Sequence, residues 1–274
     1  MEERMTLCNM SIEGGARVGY VNPDSTTFDY LRGREFAPQG EAFERAVAWW
    51  QSIASDADAR YGDRVSLDGG AIAPMVTWGI NPGQAIGVDE KMPRLQDLSD
   101  DDRGVAEEAF AHMDLRPGDP IEGTPIDVAF IGSCTNGSYD DLLQAALVVL
   151  GARDAGYTKA ASDFVVFPGS GGVKQRIEQP DPRLDGESIA DVLRSVGAQI
   201  RDSWCGPCFG QGPDALTDGQ TAITSFNRNW QNRMGRGGLG FLASPPVVAS
   251  SALLGYMAPP SDLGLPWDPE RFGV

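Results

Sequence analysis

The chain has 274 residues, a formal net charge of −17 and 41% hydrophobic residues, so it is long enough to bury a core in one or two domains. The acidic balance argues against nucleic acid as a partner, because phosphate binding needs clustered lysine and arginine. No apolar run is long enough to span a membrane, and the first residues lack the apolar core of an export signal. We therefore expect neither nucleic acid nor a membrane as a partner, and a cytoplasmic location.

The first part of the chain has mixed patterns. Apolar spacing predicts helices over 1–17 and 39–55, and short strands over 65–68 and 75–78. The acidic, turn-rich stretch 88–124 contains a predicted helix over 100–112 with Ser99 as its N-cap. We place a domain boundary in this stretch, which divides the chain into 1–105 and 106–274.

From residue 125 onward, strand patterns and helix patterns alternate. Strands are predicted over 126–131, 164–167, 199–202 and 222–226, and helices over 138–152, 186–196 and 245–256. This alternation predicts an α/β fold with a mostly parallel sheet covered by helices. The proline-rich end, 257–274, is expected to wrap around the fold.

Three of the four cysteines lie in two short motifs, Ser-Cys-Thr-Asn-Gly at Cys134 and Cys-Gly-Pro-Cys at Cys205 and Cys208. Such a set can serve as a redox dithiol, a zinc site or an iron–sulfur cluster, and any single cysteine can simply be a buried thiol. Each motif follows a predicted strand, as does the arginine segment 224–233. Because parallel sheets carry their sites at the carboxyl ends of strands, these segments are the candidate site.

The redox and zinc alternatives each lack a feature that they require. A thioredoxin-type dithiol needs a long helix that starts at the motif, and here three helix breakers follow it, Gly210, Gly212 and Pro213. A closed zinc site needs four ligands, for which the sequence offers only Cys8 or the single histidine, His112.

Residues 130–142 and 205–210 resemble the two signature segments of the aconitase superfamily. The resemblance implies three-layer α/β/α iron–sulfur domains in which Cys134, Cys205 and Cys208 are the ligands of a [4Fe–4S] cluster. Three thiolates leave one iron without a protein ligand, and this iron can act as a Lewis acid on a substrate oxygen.

Residues 5–17 and 78–84 resemble segments of 3-isopropylmalate dehydratase large subunits, and the chain is similar to the C-terminal part of such a subunit. The resemblance makes 1–105 part of a middle α/β domain, and 106–274 the domain with the cluster cysteines and substrate arginines. It also implies an N-terminal domain outside this sequence, which could be a separate chain.

The resemblance implies further site residues by position. The catalytic residue is Glu13, the substrate-binding residues are Arg228, Arg233 and Ser170, and the cluster environment includes Asn9, Asn136 and Asn227. Guanidinium groups bind carboxylates in a bidentate manner, which suits an acidic substrate. Surface side chains are the alternative for the glutamate and the arginines. This sequence departs from the family at Asn232, where a glycine is usual, and at 238–241, where Gly-Arg-Thr-His is usual.

The function implied by the resemblance is that of a hydro-lyase that dehydrates and rehydrates a 2-hydroxy di- or tricarboxylate, most like the dehydratase of leucine biosynthesis. The alternatives are a paralogue for another hydroxy acid, of the homoaconitate or methylmalate type, and a non-catalytic cluster-binding or regulatory subunit. The expected partner is a small subunit that carries the catalytic serine, in a heterodimer or larger assembly. We expect the chain alone to be inactive.

Overall fold

The computed structural model describes residues 1–265, and the chain divides into two compact units, Met1–Ile72 and Ala73–Val274. The end of the predicted proline-rich tail, 266–274, lies outside the described residues. Within residues 1–265, helices of the length and apolarity needed to cross a bilayer do not occur. The division after residue 105 concerns family domains rather than packing units and stays a prediction.

The first unit is helical. Its helices are α1 (Glu2–Met10), α2 (Ser25–Leu31) and α3 (Glu41–Ser52). The helix predicted over 1–17 is wrong beyond Met10, because the chain turns there and Gly15 adopts a left-handed φ of 83°. The strand predicted over 65–68 is also wrong. These residues are exposed and pair with no strand, so their alternating pattern has no ladder to join.

The second unit begins with an antiparallel strand pair and continues into a parallel sheet. The pair is β1 (Met75–Thr77) and β2 (Ala85–Gly87). The sheet strands are β3 (Val128–Gly132), β4 (Asp163–Phe167), β5 (Gln199–Ile200), β6 (Thr221–Thr224) and β7 (Leu239–Leu242). All neighbours in this sheet are parallel and their order is β5-β4-β3-β6-β7. The order reverses between β3 and β6, where parallel sheets of this kind open a crevice for ligands.

Most helices of the second unit follow sheet strands and start at a serine cap. They are α4 (Asp100–Met113), α5 (Tyr139–Asp154), α6 (Gly171–Arg176), α7 (Ile189–Ser195) and α8 (Pro245–Leu254). Ser99 accepts a hydrogen bond from an N3 amide as predicted, and Ser138 forms a complete capping box with Asp141. The α/β fold class and the alternation predicted from residue 125 are confirmed.

The two faces of the sheet have different neighbours. Ala129 and Ile131 of β3 belong to the main core with the buried residues of α5, α7 and α8. Their alternate neighbours Val128 and Phe130 pack on the opposite face in a smaller cluster that contains Cys208. One face therefore carries helices, and the other carries the loops in which the candidate site lies.

Candidate metal centre

The loops that follow β3, β4, β5 and β6 contain most of the candidate residues. In that order they carry Cys134 and Asn136, then Ser170, then Cys205 and Cys208, then Asn227, Arg228 and Arg233. Since these strands are adjacent and parallel, their loops emerge at one edge of the sheet. The prediction that the cysteines and arginines fall on strand-end loops is confirmed.

Phe167, the last residue of β4, supports both cysteine loops. Its carbonyl accepts a hydrogen bond of 2.8 Å from the amide of Ser133, next to Cys134. Gly132 has a φ of 117°, and a Cβ there would overlap the same carbonyl oxygen. Gly206 has a φ of 58°, and its Cβ position lies 2.9 Å from the Phe167 ring. Both glycines are therefore needed to bring the two loops onto one strand end.

The Cys134 loop also contacts the loop that carries Ser170. The Gly169 amide donates to the carbonyl of Gly137 at 2.8 Å, and a Cβ on Gly137 would overlap the carbonyl of Ser133. Ser170 caps α6, since its Oγ accepts a 3.1 Å hydrogen bond from the amide of Val173. The candidate substrate serine thus lies in a loop that packs directly on the cysteine loop.

Cys208 lies near the other two cysteines of the motifs, Cys134 and Cys205. Cys208 is buried, whereas Cys134 and Cys205 are exposed. Burial raises the pKa of the Cys208 thiol, and the charge and hydrogen bond of Arg233 oppose this rise. The sulfurs of Cys134 and Cys205 are close enough to add to the rise in that pKa, and Asn227 Oδ1 lies 3.9 Å from the Cys208 sulfur. Two further predicted residues, Arg233 and Asn227, thus lie near Cys208, and the roles of all five residues stay predictions.

Two observations describe the surroundings of the cysteines. In residues 1–265, no group of three or more His, Cys, Asp or Glu side chains is placed to hold one metal ion. The flanking loops contain buried polar atoms with no hydrogen-bond partner among the described residues: Ser133 Oγ, Arg201 Nε, Ser203 Oγ and Arg233 Nε. Such atoms are rare in a finished interior and indicate loops shaped around an additional group. Three thiols beside them suit an iron–sulfur cluster.

The redox alternative is contradicted by the backbone after the cysteine pair. The motif forms a 3-10 turn, Gly206–Phe209, which ends at Gly210 with a left-handed φ of 73°. A dithiol of the thioredoxin type needs its first cysteine at the start of an α-helix, where the helix dipole lowers the thiol pKa. That helix does not form here.

The other predicted site residues have different surroundings. The Asn136 side chain donates to Asp141 at 3.4 Å, which places it at the start of α5 beside the Cys134 loop. Arg228 is half-buried in the loop after β6. Asn9 in α1 and Glu13 in the turn that follows belong to the first unit, and their roles stay predictions.

Sequence reasoning missed Asn229, which is 2% exposed and holds the arginine loop in place. Its Nδ2 lies 2.6 Å from the carbonyl oxygen of Gly79, and 3.1 Å from both Thr77 Oγ1 and the carbonyl oxygen of Gly240. Thr77 Oγ1 also accepts a 2.8 Å hydrogen bond from the amide of Leu242 in β7. Asn229 is a polar residue between Arg228 and Trp230, and no spacing rule marks it as buried.

The parallel sheet carries three cysteines and two arginines on its strand-end loops. The aconitase family (aconitate hydratase) matches residues 1–255, and the chain belongs to this family. The cofactor expected from the sequence, a [4Fe–4S] cluster, is the cofactor of that family.

Individual relatives carry the name 3-isopropylmalate dehydratase large subunit. The proteins from Synechococcus sp. (strain JA-2-3B'a(2-13)) and Synechococcus elongatus are 55% and 52% identical to this chain over 256 residues, which is 93% of the chain and 52% of either relative. The protein from Nostoc sp. (strain PCC 7120) is 50% identical over 94% of the chain and 53% of its own length. The predicted resemblance is confirmed, and the chain spans about half the length of the curated relatives it matches.

Proposed function

We propose that this chain is the cluster-binding part of a hydro-lyase large subunit that dehydrates and rehydrates a 2-hydroxy di- or tricarboxylate, most like 3-isopropylmalate. The observation that carries the proposal is the position of Cys134, Cys205, Cys208 and Arg233 on loops that emerge at one edge of the parallel sheet. The names of the relatives support the reaction class and the substrate.

Cys134, Cys205 and Cys208 would hold the cluster. When bound, a [4Fe–4S] cluster with three protein ligands supplies one iron as a Lewis acid for the hydroxyl that leaves as water. The thiols must bind as thiolates, and Arg233 favours the thiolate form of Cys208. Asn227 and Asn136 lie beside these ligands and would orient them through their amides.

Arg228 and Arg233 would bind the carboxylates of the substrate. With a net charge of −17, the chain offers little general attraction to an anion, so local guanidinium groups must provide it. The Nε of Arg233 is a buried donor without a partner among the described residues, and a carboxylate oxygen would satisfy it. Ser170 in the neighbouring loop would complete the substrate contacts.

The proton acceptor would come from outside this chain. The single histidine, His112, lies in the last turn of α4, where burial lowers its pKa, and it is not among the loops that carry the cysteines. We propose a small subunit with a catalytic serine as the partner that supplies the base, and the remaining half of the large subunit as a second requirement. Glu13 as a catalytic carboxylate, Asn9 as part of the cluster environment and a cytoplasmic location belong to the same proposal.

Anaerobic reconstitution with iron and sulfide tests the cluster directly. The wild-type chain should take up about four irons and four sulfides, and the Cys8→Ser control should do the same. Cys134→Ser, Cys205→Ser and Cys208→Ser should each lose most of the bound iron and the brown colour. Full iron in any of these three variants, or stoichiometric zinc in the wild type, would contradict the proposal.

The assembled enzyme tests the substrate assignment. Arg233→Gln should raise KM for 2-isopropylmalate by at least tenfold, since a charge-assisted pair contributes about 1.5–3 kcal/mol. Arg236→Gln, at an exposed position of the same loop, is the control and should change KM little. Turnover of citrate or a methylmalate derivative in preference to isopropylmalate would identify a paralogue, and cluster binding without turnover in the full assembly would identify a regulatory subunit.

A further inference from the structure

Ser133, the residue before Cys134, combines two unfavourable features. Its φ is 63°, in the left-handed region that glycine adopts freely and that a serine adopts with strain. The residue is 3% exposed, and its hydroxyl oxygen is buried with no hydrogen-bond partner among the described residues. A glycine here would remove both the strain and the unpaired hydroxyl. The presence of a serine therefore needs an explanation beyond the fold.

The backbone on both sides of this serine is fixed by contacts that do not use its side chain. The amide of Ser133 donates to the carbonyl of Phe167 at 2.8 Å, and the amide of Gly132 donates to Ser225 Oγ at 3.0 Å. The carbonyl oxygen of Ser133 lies 2.4 Å from the position that a Cβ on Gly137 would occupy. The loop therefore has little room to shift toward a partner for the hydroxyl, and an acceptor has to come to it.

Ser133 differs from the other residues that have unpartnered polar atoms in the cysteine and arginine loops. Those residues, Arg201, Ser203 and Arg233, are half-buried, whereas Ser133 is buried as a whole residue. With the backbone fixed, only rotation about the Cα–Cβ bond moves its hydroxyl. The missing acceptor therefore belongs in the immediate surroundings of the loop that carries Cys134.

We propose that the Ser133 hydroxyl donates a hydrogen bond to a sulfur atom of the iron–sulfur cluster and thereby raises the reduction potential of the cluster. Hydrogen bonds to the sulfurs are among the features that set the potential of such clusters. Reduction adds negative charge to the cluster, so a donor stabilises the reduced state more than the oxidised state. The inference rests on the proposed function, because it needs the cluster, and it gives this serine a role other than ligation.

The test compares the reconstituted wild-type chain with Ser133→Ala and Ser133→Gly. Both variants lack the hydroxyl, and Ser133→Gly also removes the backbone strain, so it should be no less stable than the wild type in urea without the cluster. Both should take up about four irons and four sulfides. One-electron reduction of the cluster should be at least about threefold less favourable in either variant, which lowers the potential by about 28 mV.

Exchangeable deuterons report the hydrogen bond itself. Reduced samples in heavy water are measured by electron–nuclear double resonance, and the wild type should have an additional coupled deuteron that Ser133→Ala and Ser133→Gly lack. Ser225→Ala is the control for a purely structural effect, since it removes a buried hydroxyl that already has a partner, the amide of Gly132. This control should lower the stability of the chain and keep the additional deuteron.

Iron and sulfide are measured in the same samples, so that the two proposals can fail separately. An unchanged potential in both variants, or the same coupled deuterons in the variants and the wild type, would overturn the inference and leave the proposed function standing. Folded variants that take up no cluster would also overturn it, because a donor that only adjusts the potential is not a ligand. A wild-type chain that takes up no iron would refute the proposed function and the inference with it.

Discussion

Replacement of Asn229 by alanine should destabilise the second unit by about 2–6 kcal/mol. The asparagine amide lies within hydrogen-bonding distance of two backbone carbonyls, of Gly79 and Gly240, and of Thr77 Oγ1. All of these groups lie in a buried region, and each buried acceptor left without a donor costs about 1–3 kcal/mol. Because an amide has two protons, we count two lost hydrogen bonds rather than three.

A double-mutant cycle with Thr77→Val separates this contact from general disruption. The threonine hydroxyl accepts hydrogen bonds from both Asn229 and the amide of Leu242, so Thr77→Val should itself cost about 1–3 kcal/mol. If the two side chains act together, the double variant should be more stable than the sum of the single variants predicts, by about 1 kcal/mol. Gln231→Ala is the matched control. Gln231 lies in the same loop as Asn229, and its replacement removes a single exposed hydrogen bond to Glu108 of α4.

Urea denaturation of the cluster-free chain under reductant gives the free energy of unfolding, and hydrogen exchange of the β6 and β7 amides locates the effect. Asn229→Ala should speed exchange in these strands, whereas Gln231→Ala should change stability by less than about 0.5 kcal/mol. An Asn229→Ala variant within that same small range would refute the reasoning.

Three further predictions follow from single contacts. Gly132→Ala should lower the free energy of unfolding in urea by about 1–3 kcal/mol more than Gly156→Ala does. Both glycines have a left-handed φ, but only at Gly132 does a carbonyl oxygen occupy the position of the added Cβ. Equal losses would show that φ alone matters. The pKa of Asp181 is lowered, chiefly by hydrogen bonds from Arg183. The ionised carboxylate therefore stabilises the fold above the ordinary aspartate pKa of about 3.9, and this contribution is lost as the pH falls. Asp181→Asn should flatten the acid limb of a stability–pH profile, and an unchanged limb would contradict the assignment. In the cluster-free chain, iodoacetamide should alkylate Cys208 about tenfold more slowly than the two exposed cysteines, as judged by peptide mass spectrometry; uniform rates would argue against its burial.

The parts of the fold that follow from local chemistry were predictable from the sequence. The serine caps at Ser99 and Ser138 form as expected because a cap depends only on residues within one helical turn. The positions of Cys134 and of the Cys205–Cys208 pair after parallel strands follow from the alternation of strand and helix patterns. These features need no knowledge of distant contacts.

The missed features depend on residues far apart in the chain. The Asn229 hydrogen bonds join residues 150 and 152 positions apart, a separation that no local pattern reports. The sequence does not predict β7, because Gly240 weakens its strand pattern. The glycine is needed there, since a Cβ at position 240 would overlap the terminal methyl group of Met234. The pattern at 65–68 was misread as a strand for the opposite reason: its alternation is local, and no partner strand exists for it among residues 1–265.

Both departures from the family pattern have a structural explanation in this chain. Asn232 has a φ of 61°, in the left-handed region where glycine is favoured and asparagine is the best tolerated substitute. Its Oδ1 accepts a 2.8 Å hydrogen bond from the amide of Gly237, so the side chain stabilises the loop that follows Arg233. The second departure forms β7, where Phe241 is buried in the main core. Asn232 thus maintains the backbone of the loop that follows Arg233, and Phe241 fixes the neighbouring strand β7 to the core.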